Sequence, residues 1–232
     1  MIEEPPILTI SNNMRRPTTE QIAAFQGVPT GFVCDAMEGK GALDPKIAPL
    51  GGGRDLACVA AGPALTADNG PADILATLAA LKFIQPGDIV MAGFGAYQGC
   101  AAVGDRVSGM MKNSGAAGLV TDGPMRDYEG VVAVGLPAWC TGLNPSSPYS
   151  KGPGTVGFPM IIGGQRVATG DMIVADRDGV VVVPFERIDE VITRLDRIRE
   201  LETALDAEVA KGLKVPENIQ ELLDSPATAF KD

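Results

Sequence analysis

The chain has 232 residues, 45% of them hydrophobic and 21% charged, which is enough apolar material for a sizeable core in one large or two small domains. Lys and Arg total 19 against 29 Asp and Glu, and a formal net charge of −10 argues against nucleic-acid binding. The sequence contains no histidine, which excludes Ser-His-Asp and Cys-His catalysis and leaves carboxylates, Arg, Lys, backbone amides or a hard metal ion for any chemistry.

The first part of the chain predicts alternating helices and strands. After an arm over residues 1–19, Thr18 or Thr19 is a candidate N-cap for a first helix. The elements predicted next, in chain order, are a short helix ending at Gly39, strands around 55–67, a helix over 74–84 and a buried strand over 88–92.

A βαβ unit is predicted in the middle of the chain. The strand over 88–92 is followed by a helix that begins at Gly104 or Asp105 and ends at Gly115, and then by a second buried strand, "AAGLVT". Strand, helix and strand within about 35 residues are typical of parallel pairing. We therefore expect both strands to end at the same edge of a sheet.

The last part of the chain predicts strands and then one long helix. A helical turn and strand, a Gly-, Pro- and Ser-rich loop, and a β-meander of three strands are expected over 130–142, 142–159 and 160–184. The amphipathic helix that follows has an apolar stripe of Ile188, Val191, Ile192, Leu195, Ile198, Leu201 and Leu205. Without a clear linker, we predict one α/β domain over 20–186 and a helical C-terminal tail over 187–232.

Cysteine usage and the N-terminus indicate a compartment. The four cysteines, Cys34, Cys58, Cys100 and Cys140, lack paired metal spacing and are expected to be small core residues in a reducing compartment. The N-terminus has acids where a signal peptide has bases, and no stretch approaches the roughly 20 apolar residues of a spanning helix. We expect a cytoplasmic protein that binds no membrane.

Glycines follow the strand over 88–92. Gly93, Gly95 and Gly99 form G-x-G-x-x-x-G, one residue longer than the dinucleotide fingerprint, so the spacing disfavours a dinucleotide or methyl-donor site. The glycines either let the chain turn or, with the helix that begins at Gly104, offer N–H groups to a small anion.

Three charged residues are predicted to converge at the sheet edge. Asp105 lies at the start of the crossover helix, and Arg126 and Asp127 lie just beyond the second strand. This set suits a divalent ion chelated by an oxo acid, because Mg²⁺ and Mn²⁺ prefer hard oxygen ligands and Arg pairs with carboxylates. Local features also allow a purely structural interpretation. In it, Asp105 caps its helix, Arg126 forms a surface ion pair and Asp127 caps a turn.

The segment "GDRVSGMMKNSGAAGLVTDGPMRDYEG" resembles the centre of the RraA-like family, which includes 4-hydroxy-4-methyl-2-oxoglutarate / 4-carboxy-4-hydroxy-2-oxoadipate aldolases. The family signature is an Asp, twenty intervening residues and Arg-Asp, and Asp105, residues 106–125 and Arg126-Asp127 match it. Flanking segments such as "FVCDAMEGKG" and "GGQRVATGDMIVADRDGVVVVP" are also similar, so the resemblance covers most of 20–200.

The resemblance implies a compact α/β/β/α fold, assembled as a homotrimer or a dimer of trimers. It also implies a class II aldolase that depends on Mg²⁺ or Mn²⁺ and cleaves a 4-hydroxy-2-oxo acid to pyruvate and a second 2-oxo acid. The reaction would pass through a metal-stabilised pyruvate enolate, with oxaloacetate decarboxylation as a side activity.

The resemblance also implies roles for single residues. Asp127 would hold the metal, Asp105 would hold a metal-bound water, and Arg126 would bind the substrate and stabilise the enolate. The pyruvyl carboxylate would be bound by backbone amides near Gly99, Cys100, Ala101, Ala102 and Val103. The family also includes non-enzymatic binders of an RNA-degrading endonuclease, but a protein-binding regulator would not need all three charged residues.

Overall fold

A computed structural model describes residues 5–231. The strands of this part of the chain are β1 (Leu8–Ile10), β2 (Ala48–Pro49), β3 (Ala60–Asp68), β4 (Ile89–Gly93), β5 (Gly118–Thr121), β6 (Ala138–Cys140), β7 (Gly154–Val156), β8 (Met160–Ile162), β9 (Gln165–Val167), β10 (Met172–Ala175) and β11 (Val180–Val183). The helices are α1 (Thr19–Ala24), α2 (Thr30–Ala36), α3 (Leu75–Ala80), α4 (Asp105–Asn113), α5 (Tyr128–Val134), α6 (Ile188–Ala210) and α7 (Glu217–Leu223).

A parallel core of four strands positions the candidate site. β3, β4, β5 and β6 lie side by side in that order, and Met91 of β4 is paired with Thr66 of β3 and with Val120 of β5. Helix α4 connects β4 to β5, which confirms the predicted βαβ unit. Every residue of β4 and β5 is buried, as expected for parallel strands covered on both faces.

A second layer is formed by the antiparallel hairpin β10–β11, which pairs with the first half of β3. Helices α2 and α6 pack on this hairpin and on each other, through an apolar cluster that includes Val33, Val181, Ile188 and Leu195. The larger cluster, around β4, β5 and β6, includes Trp139. The predicted α/β/β/α architecture with a C-terminal helix is confirmed.

Local signals explain the first helices. Thr18 is the N-cap of α1, and its hydroxyl accepts a hydrogen bond from Gln21 N while the Gln21 side chain accepts one from Thr18 N, which is a capping box. After α2, Gly39 adopts φ 77° and donates its N–H to Cys34 O at 2.8 Å, so the glycine closes the helix as predicted.

Three strand predictions need correction. The pattern around 55–67 yields one strand, β3, which begins only at residue 60. The loop predicted over 142–159 contains β7, which pairs with both β1 and β3. The three-stranded meander predicted over 160–184 is wrong, because four strands form two separate hairpins, β8–β9 and β10–β11.

The turn between β9 and β10 explains why the meander is broken. The buried carboxylate of Asp171 accepts hydrogen bonds from Ala168 N at 2.8 Å and from Phe185 N at 2.9 Å. This turn leads the chain away from β9, so that β10 pairs with β3 instead.

The predicted stripe of the C-terminal helix packs only through its first half. Ile188, Val191 and Leu195 are buried against the domain, whereas Leu201 and Leu205 are 58% and 46% exposed. In the described part of the chain, no helix combines the length and the apolarity needed to cross a membrane.

Candidate active site

The structure brings the three predicted charged residues into one pocket of about 390 Å³ at the carboxyl edge of the parallel strands. The start of α4 contributes Asp105 and Arg106, and the segment after β5 contributes Arg126 and Asp127. Open α/β sheets bind ligands at this edge. Ile74 and Pro148 are among the apolar residues that line the pocket.

Asp127 has an unusual backbone conformation. Its φ of 59° and ψ of 49° lie in the left-handed region, which costs a non-glycine residue on the order of 1–3 kcal/mol. It occupies the N-cap position of α5, but within residues 5–231 its carboxylate caps none of the helix amides. The side chain is 45% exposed, so the carboxylate is available to a ligand in the pocket.

Gly104 allows the start of α4 to lie against this carboxylate. A Cβ atom at Gly104 would lie 2.5 Å from Asp127 Oδ2 and 3.2 Å from Arg126 Nε. The φ of Gly104 is −128°, which any residue can adopt, so the position requires a glycine for space and not for its backbone angles.

Asp105 is the first residue of α4, and Gly104 takes the N-cap position that the alternative interpretation gave to Asp105. Its Oδ1 accepts a hydrogen bond from Arg106 N at 2.6 Å. Helix α5 lies close on the other side, since a Cβ atom at Gly130 would lie 2.7 Å from Asp105 Oδ2. The carboxylate is therefore oriented between two helices.

Arg126 is held at its backbone and at its guanidinium. Its N–H donates to Val103 O at 3.1 Å, which ties the segment after β5 to the segment before α4. Its Nε lies 3.4 Å from Asp127 Oδ2, and its Nη1 donates to the hydroxyl of Ser147. The side chain is 35% exposed, so much of the guanidinium can contact a ligand.

The predicted carboxylate-binding amides are only partly available. Ala101 N donates to Ser146 O at 3.0 Å and Ala102 N donates to Pro124 O at 2.7 Å, so the fold itself uses both. Ala102 and Val103 line the pocket, whereas Gly99, Cys100 and Ala101 are not among its lining residues within the described chain. Of the predicted set, Val103 stays a candidate, together with the first amides of α4, which lack intrahelical partners. Among these, Arg106 N already donates to Asp105 Oδ1.

The glycine-rich loop after β4 is held in place by backbone hydrogen bonds to Asp122. Asp122, directly after β5, accepts hydrogen bonds from Phe94 N at 2.6 Å and from Ala96 N at 2.8 Å. Burial raises the pKa of Asp122, and it also raises the pKa of the Cys100 thiol. Because α4 begins only at residue 105, the loop does not have the strand-turn-helix geometry of a dinucleotide site.

The donor set fits a hard divalent cation. Asp105 and Asp127 supply carboxylate oxygens, and Mg²⁺ is commonly held by one or two carboxylates with water and substrate oxygens completing its shell. Within residues 5–231, no group of three or more His, Cys, Asp or Glu side chains is arranged to hold a metal ion. A cation bound here would therefore depend on water and substrate for its remaining ligands.

Sequence reasoning missed Ser147, Ile74 and Pro148. Ser147 and Pro148 belong to the Gly-, Pro- and Ser-rich segment that the sequence marks only as a loop, and Ile74 has the apolar character of any core residue. A contact between residues far apart in the chain has no signal in local spacing.

The fold and the pocket define a mixed α/β protein whose sheet edge carries a pocket lined by carboxylates and arginines. The model of the RraA-like family, described as Aldolase/RraA, matches residues 30–182. This chain belongs to the RraA-like family.

Two curated relatives and one solved structure are also similar to this chain. A Halalkalibacterium halodurans protein named "Putative 4-hydroxy-4-methyl-2-oxoglutarate aldolase" is 33% identical over 183 residues, which cover 78% of this chain and 84% of that protein. A Burkholderia mallei protein of the same name is 31% identical over 159 residues, or 66% and 93% of the two chains. The structure of Streptomyces coelicolor RraAS2, described as an unusual member of the RNase ES inhibitor RraA protein family, has a TM-score of 0.73 and 28% identity, covering 83% of this chain and all of its own.

Proposed function

We propose that this protein is a divalent-metal-dependent lyase that cleaves a 4-hydroxy-2-oxo acid into pyruvate and a second 2-oxo acid. The observation that carries the proposal is the meeting of Asp105, Arg126 and Asp127 in one pocket at the start of α4. The names of the two relatives agree with this reaction.

The chain's own residues bind and orient the substrate. The 2-oxo acid carboxylate lies at the start of α4 and against Arg126, whose planar guanidinium pairs well with carboxylates. Asp127 would hold Mg²⁺ or Mn²⁺, with Asp105 acting through water. When bound, the cation withdraws electron density from the keto oxygen of the substrate.

Cleavage then requires one proton transfer at each end of the breaking bond. A water oriented by Asp105 takes the proton of the C4 hydroxyl, the C3–C4 bond breaks, and C4 becomes the carbonyl carbon of the second product. The electron pair stays with the pyruvate fragment, where Arg126 neutralises the developing charge until C3 takes a proton from water, which balances the one removed from the C4 hydroxyl. Oxaloacetate develops the same charge when it loses CO₂, so decarboxylation is expected as a side activity.

Pyruvate release tests the proposal. A coupled assay measures pyruvate from 4-hydroxy-4-methyl-2-oxoglutarate and from oxaloacetate, with Mg²⁺ or Mn²⁺ and then with excess chelator. We expect turnover with metal and none with chelator. Folded protein that binds Mg²⁺ but is silent with both substrates would contradict this substrate class.

A protein-binding regulator is the alternative function, and the likeness to RraAS2 favours it. Such a regulator has no need of the carboxylates in the pocket. Absence of both turnover and Mg²⁺ binding in folded protein would favour the regulator over the lyase.

We also propose that the protein works in the cytoplasm as a homotrimer or a dimer of trimers. The family resemblance supports this assembly, and no nucleic-acid or membrane partner is proposed because the chain is strongly acidic.

A further inference from the structure

We infer that Ser147 is a positioning residue, which holds the guanidinium of Arg126 in the pocket. The inference rests on the proposed function, since Arg126 is the residue that would bind the substrate. It concerns a contact that the sequence does not signal.

The contact between the two side chains is direct. Arg126 Nη1 donates to Ser147 Oγ, whereas Arg126 Nε faces Asp127 Oδ2 at 3.4 Å, longer than a normal N–H···O hydrogen bond. Within residues 5–231, these two residues are the side-chain partners of the guanidinium. Ser147 therefore provides the closer of the two contacts.

Ser147 lies on a segment that is fixed to the site from two sides. Asn144 Nδ2 donates to Gln98 O at 2.9 Å, and Asn144 N donates to Met125 O at 2.9 Å. Asn144 Oδ1 accepts from Ser146 N at 2.9 Å, which fixes the turn just before Ser147. The hydroxyl is thus carried by backbone that is bonded both to the loop after β4 and to the segment before Arg126.

This support leaves the guanidinium available for a substrate. A guanidinium has five N–H donors in a planar fork, and one hydroxyl acceptor occupies only one of them. Without Ser147, the remaining side-chain partner is the Asp127 carboxylate. Arg126 would then lose its closer contact and would be less ordered for the substrate carboxylate.

Three variants test the inference. In Ser147→Ala we expect KM for 4-hydroxy-4-methyl-2-oxoglutarate to rise about three- to tenfold, with a smaller change in kcat, because a substrate-binding group loses its orientation. Ser147→Thr restores the hydroxyl and should return KM to near the wild-type value. Ser146→Ala is the matched control, since Ser146 N and Ser146 O, both backbone groups, make the contacts of that residue.

Equal KM and kcat in Ser147→Ala and the wild type would overturn the inference, as would an equal loss in Ser146→Ala. A second measurement does not depend on turnover: the rate at which phenylglyoxal modifies Arg126, followed by peptide mass spectrometry. We expect faster modification in Ser147→Ala than in the wild type, Ser147→Thr and Ser146→Ala. If the wild type is inactive, the proposed function fails, and equal modification rates in the wild type and Ser147→Ala would separately refute the role of Ser147.

Discussion

The carboxylate of Asp127 combines exposure with a backbone conformation that few non-glycine residues adopt. Replacing Asp127 with Ala should reduce metal-dependent pyruvate release by at least about 100-fold, because the proposed metal ligand is lost. The assembly should remain intact, since the side chain is 45% exposed and not part of the core. Kinetics with Mg²⁺ titration and size-exclusion chromatography measure both effects.

Asp127→Asn is the matched control for the backbone. Asn tolerates the left-handed region as Asp does, so this variant removes the charge without the conformational cost that Ala adds. Both variants should lose turnover to a similar degree. Near-normal activity in either one would refute the metal-holding role of Asp127.

Gly104 should be needed for the site more than for stability. In Gly104→Ala, the new Cβ would lie 2.5 Å from Asp127 Oδ2, and the carboxylate is the group that can move. We expect Mg²⁺ affinity to fall about tenfold or more, as it does when the support of a metal ligand is disturbed. Isothermal titration calorimetry measures the affinity.

The control for Gly104 is Gly109, in the helix that Gly104 precedes. Among the residues that the structure describes, a Cβ atom at Gly109 would contact only Val134 Cγ2, at 3.7 Å. Gly109→Ala should therefore leave Mg²⁺ affinity unchanged and stabilise the protein by about 0.5–1 kcal/mol. Equal affinities in the two variants would show that Gly104 has no special contact with the site.

At the residue scale, the sequence predicts which charged residues meet in the site, but not the residue that holds Arg126 in place. The spacing from Asp105 to Arg126 and Asp127 spans one crossover helix and one strand, so local geometry is enough to bring them to one edge. The contact of Arg126 with Ser147 depends on a loop path that no periodicity reports.

Among the secondary-structure elements, the connection between β4 and β5 depends on Asp122. Both of its carboxylate oxygens accept backbone N–H groups from the loop after β4. Asp122→Asn places an amide N–H₂ where one of these oxygens stood, so one buried donor loses its acceptor. We expect a loss of about 1–3 kcal/mol in the free energy of unfolding, measured by urea denaturation.

Asp178→Asn is the control for this change, because Asp178 is an exposed turn residue. It should change the free energy of unfolding by less than about 0.5 kcal/mol. Burial raises the pKa of Asp122, so the ionised form is disfavoured in the fold and Asn relieves part of that cost. Stability of Asp122→Asn equal to the wild type would contradict the expected loss and would mean that this relief fully offsets the lost hydrogen bond.

Sequence patterns located the long elements but not every short one. β7 has three residues, too few for an alternating pattern to stand out, and the predicted meander joins β9 and β10 into one strand. The pairing of β10 with β3 also joins residues that are far apart in the chain. It depends on the turn at Asp171 and on the edge of β3 that β10 occupies.

For the whole molecule, the proposed assembly predicts a mass three or six times that of the 24.0-kDa chain. The exposed apolar residues of the C-terminal helix, Leu201, Leu205 and Val209, give a physical reason to expect association. Multi-angle light scattering at micromolar concentration measures the mass. A stable monomer would contradict the proposed trimer.

The layered architecture was predictable because a long resemblance specifies it, with segments in the same order over most of the chain. The exposure of the second half of the α6 stripe was not predictable. Periodicity shows which face of a helix is apolar, but not where the helix extends beyond the domain. A boundary of that kind depends on three-dimensional packing. The predicted division at residues 186 and 187 stays a prediction.

The pairing of β1 with β7 has a consequence for biosynthesis. Leu8 is paired with Gly154, so β1 is synthesised long before the strand with which it pairs. Until β7 has been made, β1 has no partner and the sheet cannot be completed. Such long-range pairing slows folding, so the nascent chain is most exposed to aggregation and to chaperones before residues 154–156 emerge.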